Sequence, residues 1–405
     1  MELWNYYKKS NIELEKLLNQ DPFKLNHYQS TEMQILTKLK KNIINIPGWK
    51  TDRKIVVIES DDWGSIRMPD KNVMQQFISL GYNLNKNPYC RYDTLANSAD
   101  LSSLFEVLRR YTDEKGTHPK FTFNTVMGNP EFDKIKATGF NDYFYEPFTK
   151  TIEDYYPKEN VFNLWKQAIG EGLMYPQFHG REHVNVPIWL NQLKNSNPAL
   201  NAAFDLHFWG IPKELYGENR INIQAAFSSA DEEHLDFYKN NIMVGTKMFE
   251  NIFGFKSDTF IANNYTFPKS LYKVLHDSGI RGIQSMRYHK IPNKNGNPTL
   301  KPVYTGMKNS LQQTYTVRNC VFEPSQMPNN YDNVEICLNE ISNSFFWKKP
   351  AILTSHRINF IGSIEEDNRK RNLKLLEELI QKIFKRWPDV EFMSSNELIK
   401  LIDDN

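Results

Sequence analysis

Cysteine is scarce in this 405-residue sequence. Cys90, Cys320 and Cys337 are scattered and odd in number, and no C-x-x-C pair occurs. This excludes a disulfide framework and a cysteine metal site, and it favours a reducing compartment. An excess of one charge is also missing. Lys+Arg 50 against Asp+Glu 48 leave a net charge of +2, too little for a protein whose main partner is nucleic acid. No window reaches the apolar length of a membrane span. The opening "MELWNYYKKSNIELEKLL" lacks the apolar run of a signal peptide. The expectation is a cytoplasmic protein with no membrane span.

Aromatic residues are plentiful at 13%, beside 40% hydrophobic and 24% charged residues. That balance suits a soluble globular chain with a large aromatic core.

Residues 1–50 are polar with helical spacing (Leu14, Leu17, Leu18; Met33, Leu36, Leu39) and end at Pro47-Gly48. They read as a helical N-terminal extension, leaving 51–405 as the main domain. There a rhythm begins. "KIVVIES" (54–60), "KFTFNTVM" (120–127), "SDTFIANN" (257–264), "RGIQS" (281–285), "RNCVFEPS" (318–325), "PAILTSH" (350–356) and "DVEFMSS" (389–395) look like buried strands. The less regular "YPQFH" and "AAFDLHF" are further candidates. Helical patterns lie between them: residues 231–253 stop at Gly254, and residues 365–387 stop at Pro388. Alternation of this kind predicts an α/β fold, a distorted (β/α) barrel of seven to eight parallel strands.

Two stretches carry chemistry. In "VVIESDDWGSIRMP" (56–69) a buried strand ends in two consecutive carboxylates, Asp61 and Asp62. They repel each other unless a cation lies nearby. One can ligate a metal while the other serves as a base. In "QFHGREHVNV" (177–186), His179 and His183 are four apart with Glu182 beside the second. Read literally, this is the H-x-x-E-H pattern of a zinc peptidase helix. Gly180 inside the motif, Asn185 as an N-cap and Pro187 in the next helix's first turn place it in a loop instead. That is the setting of ligands at a barrel's C-terminal mouth.

These stretches resemble, in order, the motifs of the NodB-homology polysaccharide deacetylases (carbohydrate esterase family four). "ESDDWG" is similar to the family's T-F-D-D-G, and "HGREH" has the spacing of its H-[ST]-x-x-H. "FGFKSDTFIANNY" (253–265) resembles the stretch ending R-P-P-Y, "ILTSH" (352–356) the late L-x-H, and "VEFMSSNELIKLI" the closing strand and helix. The resemblance runs from about residue 54 to 402. It implies Asp61 as catalytic base, Asp62, His179 and His183 as ligands of a divalent metal, most simply Zn2+, and His356 as general acid. The implied activity is removal of an acetyl group, N- or O-linked, from a carbohydrate. A backbone N–H near Asn264 or Tyr265 would stabilise the oxyanion.

The chain departs from the pattern in several places. The arginine of the third motif, which orients the base, is Ile261 or Ala262 here; Arg67, Arg181 and Arg357 are the candidate replacements. The segment that sets the late histidine's pKa has no counterpart, and Glu323 is the candidate substitute. Trp63 stands where the family has glycine, at a place to narrow the mouth or stack on a sugar ring. Asn124 and His207 are candidate substrate contacts at strand ends. Competing readings are a glycoside hydrolase using Asp61 and Glu323, a non-catalytic carbohydrate-binding protein, and a peptidase.

Overall fold

In the computed structural model, the described residues are Asn42 and 45–404, apart from 85–86, 217–222, 295–296 and 329. Residues 45–404 belong to one compact unit. Most of the helical extension expected over 1–50 thus lies outside the described residues. Residues 45–50 pack against the main unit: the Trp49 N–H donates to Thr305 O at 2.8 Å, and Lys349 Nζ donates to Gly48 O and Trp49 O.

Nine strands form the main sheet: β1 (Ile55–Trp63), β2 (Phe121–Thr125), β3 (Met174–Phe178), β4 (Thr259–Ile261), β5 (Gly282–Ser285), β6 (Thr314–Val317), β7 (Cys320–Val321), β8 (Ala351–His356) and β9 (Glu391–Met393). Their order is β6-β5-β4-β3-β2-β1-β8-β7, with β9 paired to the start of β1. Every pairing is parallel. The two ends of this order, β6 and β7, are separated along the chain by only Arg318 and Asn319. Two residues reach less than about 10 Å, so the sheet must curl until its edges meet. Its seam is a covalent crossing rather than a ladder. Arg318 N–H donates to Ser285 O on one side, and Asn319 N–H to Ile352 O on the other. The result is a distorted (β/α) barrel.

Strand β1 shows why these residues form such a sheet. Ile55, Val56, Val57 and Ile58 are all buried, as β-branched residues are in a strand covered on both faces. Val56 and Ile58 join the large aromatic core, while Ile55 and Val57 pack with Leu398 and Ile402 of the closing helix α1 (Ser395–Asp403). With a side-chain period of two, Ile55, Val57, Glu59 and Asp61 share a face. It leads from the apolar floor to the C-terminal mouth.

Most expected strands are present. "AAFDLHF" is not one: residues 202–205 belong to the helix Pro198–Asp205, whose N-cap Asn197 accepts from the Leu200 N–H. Pro198 and that cap start a helix before the apolar run begins. Strand β6 was absent from the sequence reading, because "QQTYTV" is polar and short and carries no flanking turn signal. No helix among the described residues is long and apolar enough to cross a membrane.

Candidate metal centre and proton-transfer site

Strand β1 delivers both carboxylates. Regular alternation would send Asp61 and Asp62 to opposite faces. The pairing of β1 with β2 slips between Ser60 and Trp63, and Asp62 adopts φ +73°. A bulge of this kind re-aims side chains. Both aspartates line one cavity of about 210 Å3, with Arg67, Tyr89, His179, His183, Asn264, Tyr265 and His356 among its other walls.

Asp62, His179 and His183 bring one ligand atom each within 4.8 Å of one another, and all three are buried. Asp62 Oδ1 lies 3.0 Å from His183 Nε2 and 3.5 Å from His179 Nε2. Nδ1 of His179 meets Ile261 O at 2.9 Å. That bond fixes the ring and turns Nε2 toward Asp62, the arrangement expected of a metal-ligating histidine. Burial lowers the His183 pKa to about 4, although Asp62 opposes the shift. The imidazole is therefore neutral, as a ligand must be. His183 Nδ1 is buried without a hydrogen-bond partner. Two imidazoles and one carboxylate fit a tetrahedral site with open positions.

Glu182 does not join them. Both its oxygens are taken by Arg181, at 2.6 and 2.8 Å, and Asn241 donates to one of them at 2.9 Å. The motif occupies the loop between β3 and the helix Val186–Lys194. Asn185 caps that helix by accepting from the Ile188 N–H. The peptidase helix is thereby excluded.

Asp61 is held differently. Arg318 donates to Asp61 Oδ2 and Oδ1 at 2.7 and 2.6 Å, and Asn124 Nδ2 donates to Oδ1 at 2.7 Å. Arg318 Nε donates to Glu59 Oε2 at 2.6 Å. One guanidinium thus bridges two carboxylates that share a strand face. Burial alone would raise the Asp61 carboxyl, but the charge and hydrogen bond of Arg318 and the charge of His356 together prevail, and the pKa is lowered.

Arg318 is the arginine the sequence reading missed. None of the three candidates takes its place. Arg67 lies 3.4 Å from Asp62 Oδ2 rather than on Asp61. Arg181 is bound to its neighbour Glu182, and Arg357 forms two 3.0 Å bonds to Asp93 and one to Ser65 O. The signal was Glu59. A carboxylate two residues before Asp61 on a buried strand face demands a buried cation, and Arg318 begins the stretch already read as a strand.

His356, at the end of β8, lies opposite. Its Nε2 is 3.7 Å from Asp61 Oδ2, and its Nδ1 is 2.5 Å from Glu323 Oε1. Burial would lower its pKa, but the Glu323 charge and hydrogen bond prevail and raise it to about 9. Asn359 and Gln326 each donate to Glu323 Oε2 at 2.8 Å.

Compared with models of protein families and with curated proteins, the sequence finds no match. Solved structures do match its fold. An allantoinase is 11% identical, covering 88% of this chain and 93% of its own at a TM-score of 0.44. A Mycobacterium smegmatis protein assigned to the polysaccharide deacetylases is also 11% identical, with 88% and 93% covered at 0.42. A GH57 branching enzyme from Thermococcus kodakaraensis is 10% identical, with 86% and 71% covered at 0.43. Likeness at this level says nothing of chemistry.

Other expected contacts fall outside the cavity. Trp63 is buried, stacked on Phe123 at 3.6 Å with its Nε1 donating to Ser60. The bulge that turns Asp62 inward turns Trp63 into the core, away from the mouth. Arg181 and Arg357 are structural pairs, as above. Asn124 touches Asp61 from below. His207 is remote, stacked on Phe132 at 5.2 Å. Asn264 and Tyr265 do line the cavity, both at positive φ. The Tyr265 N–H is already given to Ala262 O at 2.9 Å.

Proposed function

We propose that the protein is a metal-dependent hydrolase that removes an acyl group, acetyl in the first instance, from a carbohydrate. One observation carries this reading: a three-ligand metal centre, a carboxylate held ionised and a histidine held protonated all face one small cavity. The carbohydrate comes from the motif resemblance, since the order ESDDWG, HGREH, FIANNY, ILTSH follows the deacetylase pattern.

Zinc, when held by Asp62, His179 and His183, would supply Lewis acidity toward the acyl carbonyl and lower the pKa of water. The chain's own groups do the rest. Asp61 accepts a proton as water attacks the carbonyl carbon. Arg318 and Asn124 aim its carboxylate and keep it charged. The backbone N–H of Asn264 donates to the developing oxyanion, since that of Tyr265 is engaged. His356 gives its Nε2 proton to the departing amine or alcohol as the carbon–nitrogen or carbon–oxygen bond breaks. Glu323 holds the opposite ring nitrogen and stabilises the imidazolium beforehand.

The glycosidase alternative needs two carboxyl groups across one bond. Glu323 stands behind His356 with both oxygens bonded, which supports acyl hydrolysis instead.

The test pairs a zinc-edge anomalous map with acetate release from acetylated sugars. The expected peak is bound by Asp62, His179 and His183. Asp61→Asn should keep it and lose turnover by about a hundredfold or more, the scale of a lost general base. Full activity in Asp61→Asn would sink the mechanism.

A further inference from the structure

Arg67 has no part in the chemistry above, yet it lies in the wall of the cavity. It is only 5% exposed, and its Nε has no hydrogen-bond partner. Its carboxylate neighbours use only part of its fork. Arg67 Nη2 donates to Asp62 Oδ2 in a long 3.4 Å bond, while the other Asp62 oxygen faces both histidines. Asp93 Oδ2 is 3.7 Å away and is held with Oδ1 by Arg357 in a two-bond fork. A guanidinium keeps its charge at any working pH, and an incompletely paired buried charge is costly.

The side chain is nonetheless held in place. Its guanidinium lies 4.8 Å from the Trp209 ring centre and 5.1 Å from that of Tyr89. A Cβ on Gly210 would come within 3.1 Å of Arg67 Nη1, so the backbone there is shaped to its passage. A fixed planar fork of donors suits a carboxylate or phosphate. The cavity, about 210 Å3, falls below the roughly 300–1,000 Å3 typical of small-ligand sites. That volume suits a single ring.

We propose that Arg67 is the anion-recognition residue of this cavity, and that the group seated there is a single acylated ring bearing a carboxylate or a phosphate. This rests on the acyl-hydrolase reading and narrows its substrate class. The metal end orients the acyl carbonyl, and the Arg67 end holds the charge.

The experiment compares N-acetylglucosamine, N-acetylglucosamine 6-phosphate and N-acetylmuramic acid on the zinc-loaded protein, by acetate release and by calorimetric binding. At least one charged compound should exceed the neutral one by about tenfold or more in kcat/KM, mostly through KM, the scale of a charge-assisted hydrogen bond. Whichever charged compound leads identifies phosphate or carboxylate. Arg67→Met should erase the advantage and Arg67→Lys should keep part of it. Equal use of all three compounds, or an advantage that survives Arg67→Met, overturns the proposal. If none releases acetate, the hydrolase reading fails, and binding decides the anion site separately. Charge-selective binding lost in Arg67→Met upholds it, and binding indifferent to charge overturns it.

Discussion

The two walls of the cavity are built on opposite terms. On the Asp61 wall the polar groups are closed upon one another: Arg318 with Glu59 and Asp61, Asn124 with Asp61, Glu323 with His356. On the Asp62 wall, buried atoms without hydrogen-bond partners collect: His183 Nδ1, Arg67 Nε and Asn263 Oδ1. The first wall is preorganised by its own charges, so Asp61 and His356 need no ligand to be in position. The second has polar capacity left over, as a surface that receives a metal and an anionic substrate should. Two consecutive residues of one strand belong to different machines because a single bulge separates their surroundings.

The comparison breaks first at Arg318. Removing it leaves Glu59 and Asp61 buried without the guanidinium that bridges them, and only His356, 3.7 Å from Asp61 Oδ2, as a nearby cation. Arg318→Met should cost about 3–5 kcal/mol, the usual result of breaking a buried ion network from one side. Arg67→Met, on the open wall, should cost about 1 kcal/mol. Urea unfolding of both variants measures the contrast, and equal losses would erase the distinction between the walls. Metal gives the next largest effect. At a hundredfold excess over its Kd, zinc should stabilise the protein by about 2.7 kcal/mol. Asp62→Ala and His183→Ala should abolish that gain, whereas Glu323→Gln should retain it. Thermal melts with and without a chelator read the difference, and a zinc response that survives Asp62→Ala would move the metal elsewhere.

The asymmetry also marks what the sequence could show. Strand runs, the order of the motifs and the loop setting of HGREH are local patterns, and these proved readable. Gly180, Asn185 and Pro187 were enough to place the motif in a loop; the pairing of Glu182 with Arg181 and Asn241 was not legible. Long-range pairings were less accessible. Arg318 and Asp61 are 257 positions apart, and no periodicity links the first residue of RNCVFEPS to a strand end so far away. Strand β6 escaped for the same reason: it is held by its partner Gly282–Ser285 and by the barrel's closure, not by its own apolar content. Trp63 was misplaced because a bulge reverses alternation, and a bulge has no signature in "SDDWG" that separates it from a regular strand end.

A subtler effect lies within the closed wall. The Glu323 carboxylate holds His356 protonated up to about pH 9. A general acid works in its protonated form, so turnover should be flat through neutral pH and fall as pH rises through about 9. Glu323→Gln keeps a hydrogen-bond acceptor beside Nδ1 but removes the charge. Burial, which lowers a histidine's pKa, then acts with less opposition, and the alkaline limb should move down by about one pH unit, equivalent to about 1.4 kcal/mol. Rate profiles of kcat against pH for the two proteins, at saturating zinc, give the comparison directly. A limb that stays in place in Glu323→Gln would mean that another group sets it, and His356 would lose its standing as the acid.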